Sequence, residues 1–168
     1  MIVPTLADIV YTISAGLDEI ITPQLEGLRE RSTMTTIRHM LRFLEHSIDQ
    51  EGQLLFDDLN KLKPLLADIA QRFDSVAELK SVASAIRQAL AIERDPTVYP
   101  SIKLMAEDIK RLRQLVSDAL VAIRALPASS RGPQTEAAHQ LLRDYIKWQL
   151  QQEARVIEPA FIGYGARR

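Results

Sequence analysis

At 168 residues and 18.9 kDa, the chain is long enough for one domain that buries most of a core without disulfides or metals to staple it. Apolar residues at 46% and charged residues at 26% exclude a wholly disordered chain, and a net charge of -1 with interspersed signs supplies no field to draw in nucleic acid or anionic lipid. The absence of cysteine excludes disulfides, thiolate metal sites and cysteine nucleophiles, which leaves carboxylate and imidazole as the only metal ligands.

The opening MIVPTLADIVYTISAGLDEI is apolar, but it lacks a basic leader and Asp8 interrupts it, so it predicts a core helix and neither a signal peptide nor a membrane span. A cytoplasmic location is the expected default. Thr5 and Asp8 suit a helix cap, and Leu6, Val10, Ile13, Leu17, Ile20 and Leu28 form the apolar stripe of this first helix, with a kink at Pro23. The polar run from Arg29 to Thr36, with Ser32 and Thr33 as caps, predicts a short connection to an antiparallel neighbour. A long helix then follows over 37–62, where Ile37, Leu41, Leu44, Ile48, Leu55, Leu59 and Leu62 step by threes and fours. Glu51 occupies the one remaining slot of that stripe. A carboxylate where leucine is expected has to be paired, protonated or metal-bound if it is buried.

Pro64 is expected to end or bend this helix, and Leu65 to Phe73 to form a short helical piece. Ser75 and Glu78 have the spacing of a capping box ahead of a helix bearing Val76, Leu79, Ala83, Ile86 and Leu90. Two prolines break the pattern between Asp95 and Pro100. From Ile102 the register is the most regular in the chain: Ile102, Met105, Ile109, Leu112, Val116, Ala119, Ile123 and Leu126 form a core or coiled-coil seam. PASSRGP, over 127–133, reads as a loop, and a last helix is expected from Thr135 to Glu158, with Leu142, Tyr145, Val156 and Ala160 on its stripe and Gln149 and Glu153 between them. Strand candidates and repeats are lacking. The expectation is an all-α chain: an antiparallel four-helix bundle with one or two accessory helices, one domain over 1–161 and a flexible tail over 162–168.

Glu51 and Glu153 are the inward carboxylates on this reading, and Asp108, flanking the stripe of its helix, is a third. Three acids suit a hard or borderline divalent cation, although a set without histidine is atypical for iron or zinc. The commoner fate of an interior carboxylate is an ion pair or hydrogen bond with Arg, Lys or Tyr on a neighbouring helix. Of the histidines, His39 and His46 project far from the apolar stripe and are expected in solvent, roughly 10 Å apart and too far to share a metal. His139 shares a face with Ile146 and Glu153 but lies roughly 21 Å along the axis from Glu153.

The stretch FLEHSIDQEGQLLFDDL resembles the second helix of hemerythrin-like cation-binding proteins, and YIKWQLQQEARVIEP is similar to that family's closing helix. Glu51 and Glu153 fall on the family's glutamate ligands and Pro159 on its proline, whereas Ser47 and Gln149 stand where the family has histidines. LMAEDIKRL aligns Asp108 with a further expected histidine, and the first helix has none. The resemblance implies a four-helix bundle that holds a non-haem di-iron centre for binding or sensing oxygen. With the glutamates kept and the imidazoles gone, it implies here a vestigial or altered carboxylate-rich site, holding iron or another divalent cation or no metal at all.

Two further classes compete with this one. A helical interaction module would dock a protein partner or a second copy, through the heptad-like seam or an anchor patch of Tyr145, Trp148 and Phe161. A histidine phosphotransfer bundle would use an exposed His46, but the SIDQEG that follows is acidic and lacks the expected lysine-glycine pair. Catalytic triads, phosphate-cradling glycine loops and zinc-hydrolase motifs are absent from the sequence, so no enzyme is expected.

Overall fold

A computed structural model describes residues 4–92, 94 and 100–161, and the side chains of all of these but 49 and 159–161. Regular structure among the described residues is helical throughout: α1 (Leu6–Gly16), α2 (Leu28–Phe73), α3 (Lys80–Leu90), α4 (Ile102–Ala125) and α5 (Pro133–Phe161), with single-turn pieces between them. Most of the proline-bearing break at 95–100 and all of the tail at 162–168 lie outside the described residues.

Local chemistry accounts for most boundaries. Thr5 and Asp8 form the expected capping box, in which the Thr5 side chain accepts from the Asp8 amide and the Asp8 carboxylate accepts from the Thr5 amide at 2.8 Å. Ahead of Pro23 the helix loosens into a π turn over Leu17–Ile21 and then a tighter turn over Thr22–Gln24. The connection expected at Arg29 to Thr36 is instead the start of α2. The hydroxyls of Thr33, Thr35 and Thr36 each donate to the carbonyl four residues back, so these residues sit inside a helix without needing cap positions.

Nor does Pro64 end α2, which continues through it for a total of 46 residues. Beyond the proline, Leu66, Ile69, Ala70 and Phe73 are all but fully buried, and that burial outweighs the roughly 3 kcal/mol an interior proline costs a helix. The Ser75–Glu78 capping box does not form. The Ser75 hydroxyl donates to the Arg72 carbonyl, and Glu78 accepts from Ser130 at 2.7 Å, so the chain makes a tight turn over Ala77–Leu79 before α3 starts. At α4 the Ser101 side chain caps the Leu104 amide. At its other end the Arg131 side chain donates to the carbonyls of Arg124 and Leu126.

By its internal contacts the chain divides into two compact units, one comprising Met1–Gly52 and Gln151–Arg168, the other Gln53–Leu150. The second unit holds the core. Leu62, Leu66, Ile69 and Phe73 of α2, Ala83 and Ile86 of α3, the α4 stripe from Ile109 to Ile123, and Ala138, Leu142 and Tyr145 of α5 form one buried cluster. The α4 stripe is as the sequence predicts, except that Ile102 at its first turn is exposed. α3, expected as an accessory, packs on α4 and belongs to this core.

The first unit differs sharply. α1 buries no residue, and among the unit's described residues only Met34 and Val156 are buried. An ion pair between Arg38 and Asp18 joins α2 to the π turn, and Arg31 donates to the Leu25 carbonyl at 2.9 Å.

Candidate functional site

Three polar side chains, of which sequence reasoning singled out only Tyr145, meet inside the second unit. Asp58 of α2, only 3% exposed, accepts from the Tyr145 hydroxyl of α5 at 2.8 Å and from Arg113 of α4 at 3.0 Å through Nε and 2.7 Å through the guanidinium end. Helical periodicity puts each where it must be: Asp58 among Leu55, Leu59 and Leu62, Arg113 beside Ile109 and Val116, and Tyr145 one turn after Leu142. Burial pushes the Tyr145 hydroxyl above the ordinary tyrosine range, and the hydrogen bond to Asp58 adds to the shift, so it stays a neutral donor. Burial works against the charge of Arg113, but Asp58 and Tyr145 hold it, and the guanidinium titrates above its usual value. Trp148 lies against Tyr145 with ring centroids 6.0 Å apart, and the Lys61 ammonium stands 5.0 Å over the Trp148 ring.

An open groove of about 380 Å³ runs beside this network, lined by Leu55, Ala106, Ile109, Lys110, Arg113, Gln114 and Ser117. Three of its polar residues are already engaged. Gln114 donates to Asp118, Ser117 donates to the Arg113 carbonyl, and Arg113 serves Asp58.

Of the carboxylates singled out in the sequence, Asp108 belongs to the second unit and Glu51 and Glu153 to the first. Asp108, in the second unit, directs one oxygen at Arg94 and Arg111, at 2.7 and 2.8 Å, and the other at Arg94 Nε at 2.9 Å. The hydrogen bond from Arg94 holds its carboxyl below the usual carboxylate range, with the charges of Arg94, Arg111 and Lys63 acting in the same direction. In the first unit, Glu51 is exposed and Glu153 and Ser47 half-buried; Gln149, the other position matched to a histidine, belongs to the second unit and is half-buried too. No group of three or more His, Asp or Glu side chains arranged to hold a metal ion occurs among the described residues.

The histidines also depart from expectation. His39 and His46 are half-buried, whereas on the same stretch of α2 Ile37, Met40, Leu44 and Glu51 line one exposed stripe. The apolar stripe thus exists as the sequence predicts, but in the first unit its outer edge faces solvent. α1 repeats the pattern: Leu6 at 67% exposure, Ile9 and Ile13 share an outer face, while Ala7, Val10, Ser14 and Leu17 face inward, half-buried. With Tyr11, Ile20, Ile21, Phe43, Ile157 and Leu28, the last at 87%, twelve large apolar side chains among this unit's described residues stand exposed.

No protein-family model matches the chain, and comparison with curated proteins and with solved structures finds no match. No helix among the described residues is long and apolar enough to cross a membrane.

Proposed function

We propose that the protein is a helical interaction module whose first unit docks another protein surface through the apolar faces of α1 and the first half of α2. The observation that carries this reading is the contrast between units: among the described residues, twelve large apolar side chains exposed and two apolar residues buried in one, against a continuous core in the other. Contiguous apolar surface beyond a few hundred Å² is uncommon on a monomer and marks interaction sites. The chain is not an enzyme on this reading. Its long helices run antiparallel as a bundle of the hemerythrin-like kind, in a cytoplasmic protein, and the metal site that Glu51, Glu153 and Asp108 imply is vestigial. The Arg94 and Arg111 contacts to Asp108 support that loss, since they supply from within the protein the positive charge a cation would bring.

The test uses an environment-sensitive apolar dye with the protein diluted to the nanomolar range, where weak self-association is absent. The wild type is expected to take up dye, and a variant carrying Ile9→Ser, Ile13→Ser and Leu44→Ser to lose most of that signal with unchanged helicity. Equal dye uptake by the two, or none by either, overturns the docking reading.

A further inference from the structure

Beyond the docking reading, and in the other unit, we infer that the cavity between the end of α4 and the start of α5 binds a free acidic α-amino acid, a small molecule with two carboxylates and one ammonium group.

The cavity measures about 250 Å³. That is below the roughly 300–1,000 Å³ of pockets that take drug-sized molecules, and it suits a smaller solute. Ile123 gives it an apolar wall, and Arg124, Arg131, Thr135, Glu136 and His139 line the rest. Thr135 is buried and already satisfied, since its hydroxyl accepts from the Gly132 amide at 2.9 Å and donates to the Gly132 carbonyl at 2.8 Å. His139 is half-buried and offers a neutral imidazole with one donor and one acceptor nitrogen.

Unneutralised charge of both signs sets this cavity apart. Elsewhere in the second unit Arg72, Arg87, Arg94, Arg111 and Arg113 each hold an aspartate. Arg124, Arg131 and Arg143 pair with no acid among the described residues, and the first two of these line this one cavity. Arg131 is fixed in place by donating to the Leu126 carbonyl at 3.2 Å and the Arg124 carbonyl at 3.0 Å. Those acceptors carry no net charge, and Nη1 of Arg131 donates to nothing within the chain. A guanidinium held in this way loses little further freedom when it meets a carboxylate. Glu136 lines the same space yet pairs with neither arginine. Glu78, the acid that reaches the connection between α4 and α5, accepts from Ser130 and is not part of the lining.

This balance selects the ligand. Two guanidiniums against one carboxylate leave one positive charge in excess. A plain dianion would meet Glu136 with repulsion, and a plain cation would meet the two arginines with repulsion. Two carboxylates and one ammonium match every charge, one carboxylate to each guanidinium and the ammonium to Glu136.

The test is calorimetric titration of the full-length chain at low ionic strength with L-glutamate, L-glutamine and glutarate. L-glutamine lacks one carboxylate and glutarate lacks the ammonium. L-glutamate is expected to bind with a Kd below about 1 mM, and the other two at least about tenfold more weakly. Arg124→Gln is expected to weaken L-glutamate at least about tenfold at an unchanged melting temperature, because its side chain makes no polar contact within the chain. Glu136→Gln is expected to weaken L-glutamate and leave glutarate no weaker. The inference is overturned by the absence of saturable heat with L-glutamate up to about 10 mM, by glutarate or L-glutamine binding as tightly as L-glutamate, or by an unchanged L-glutamate affinity in either variant. None of these outcomes bears on the first unit's apolar faces, which the dye experiment tests separately.

Discussion

Asp58, Arg113 and Tyr145 behave as one unit because each is satisfied by the others. Asp58→Ala would leave a half-buried guanidinium without its counter-ion and a buried hydroxyl without its acceptor, and is expected to cost about 3 kcal/mol in urea unfolding, at the low end for a broken buried pair because the Arg113 side chain is 35% exposed. Tyr145→Phe removes the donor to Asp58 and an acceptor for Arg113 but leaves the Asp58–Arg113 pair, and is expected to cost about 1 kcal/mol. The pH dependence separates these effects. The native state keeps the Tyr145 proton beyond the ordinary tyrosine pKa, near 10, so this contribution is complete below that pH and declines as pH rises through it. Wild type should lose stability above about pH 10 more steeply than Tyr145→Phe. A parallel decline in the two proteins would mean that the hydroxyl is not held neutral by the fold. The same residues show what the sequence could and could not tell. The argument that singled out Glu51, a carboxylate on an apolar stripe, applies equally to Asp58, and Tyr145 was on its stripe as predicted. What periodicity lacks is the neighbour: it gives an angle around a helix and no knowledge of which helix lies opposite, so Glu51 was placed in a core that its half of α2 does not have.

Among the elements, α4 was the most legible, since a stripe buried along nearly its whole length leaves a clean three-four pattern. α2 was the least. Its polar start reads as a connection and its proline as a stop, yet threonine back-bonding accommodates the first and burial beyond Pro64 outweighs the second. Pro64 is exposed, so Pro64→Ala opens no cavity, and it restores an amide that can reach the Asn60 carbonyl. The variant is expected to be more stable by about 1–3 kcal/mol, part of the penalty of an interior proline, read as a shift in the urea midpoint at constant slope. A loss of stability would show that the fold depends on the proline ring at this position. α3 was misjudged for a different reason: its length suggested an accessory, but Ala83 and Ile86 are inaccessible to solvent and α3 is built into the core.

Across the whole molecule, stability is concentrated where apolar burial is, and the two units should differ in how readily their backbone opens. In dilute protein, amides of the α4 stripe and of Leu66 to Phe73 are expected to exchange only through global unfolding, and those of α1 at least about a hundredfold faster, because no buried side chain holds that helix down. Uniform exchange would contradict the contrast between units. The all-helical class was readable from the sequence because it needs only period. The division into a packed and an open unit was not, because an amphipathic helix that faces a partner outside the chain has the same pattern as one that faces its own core.

The polar network has a further meaning for how this sequence can drift over time. Residues 58, 113 and 145 lie on three different helices and far apart along the chain, yet loss of any one leaves the other two worse than if all three were apolar. Single changes here are penalised and concerted ones tolerated, so descendants of this chain should either keep the aspartate, arginine and tyrosine as a set or replace them together with aliphatic residues.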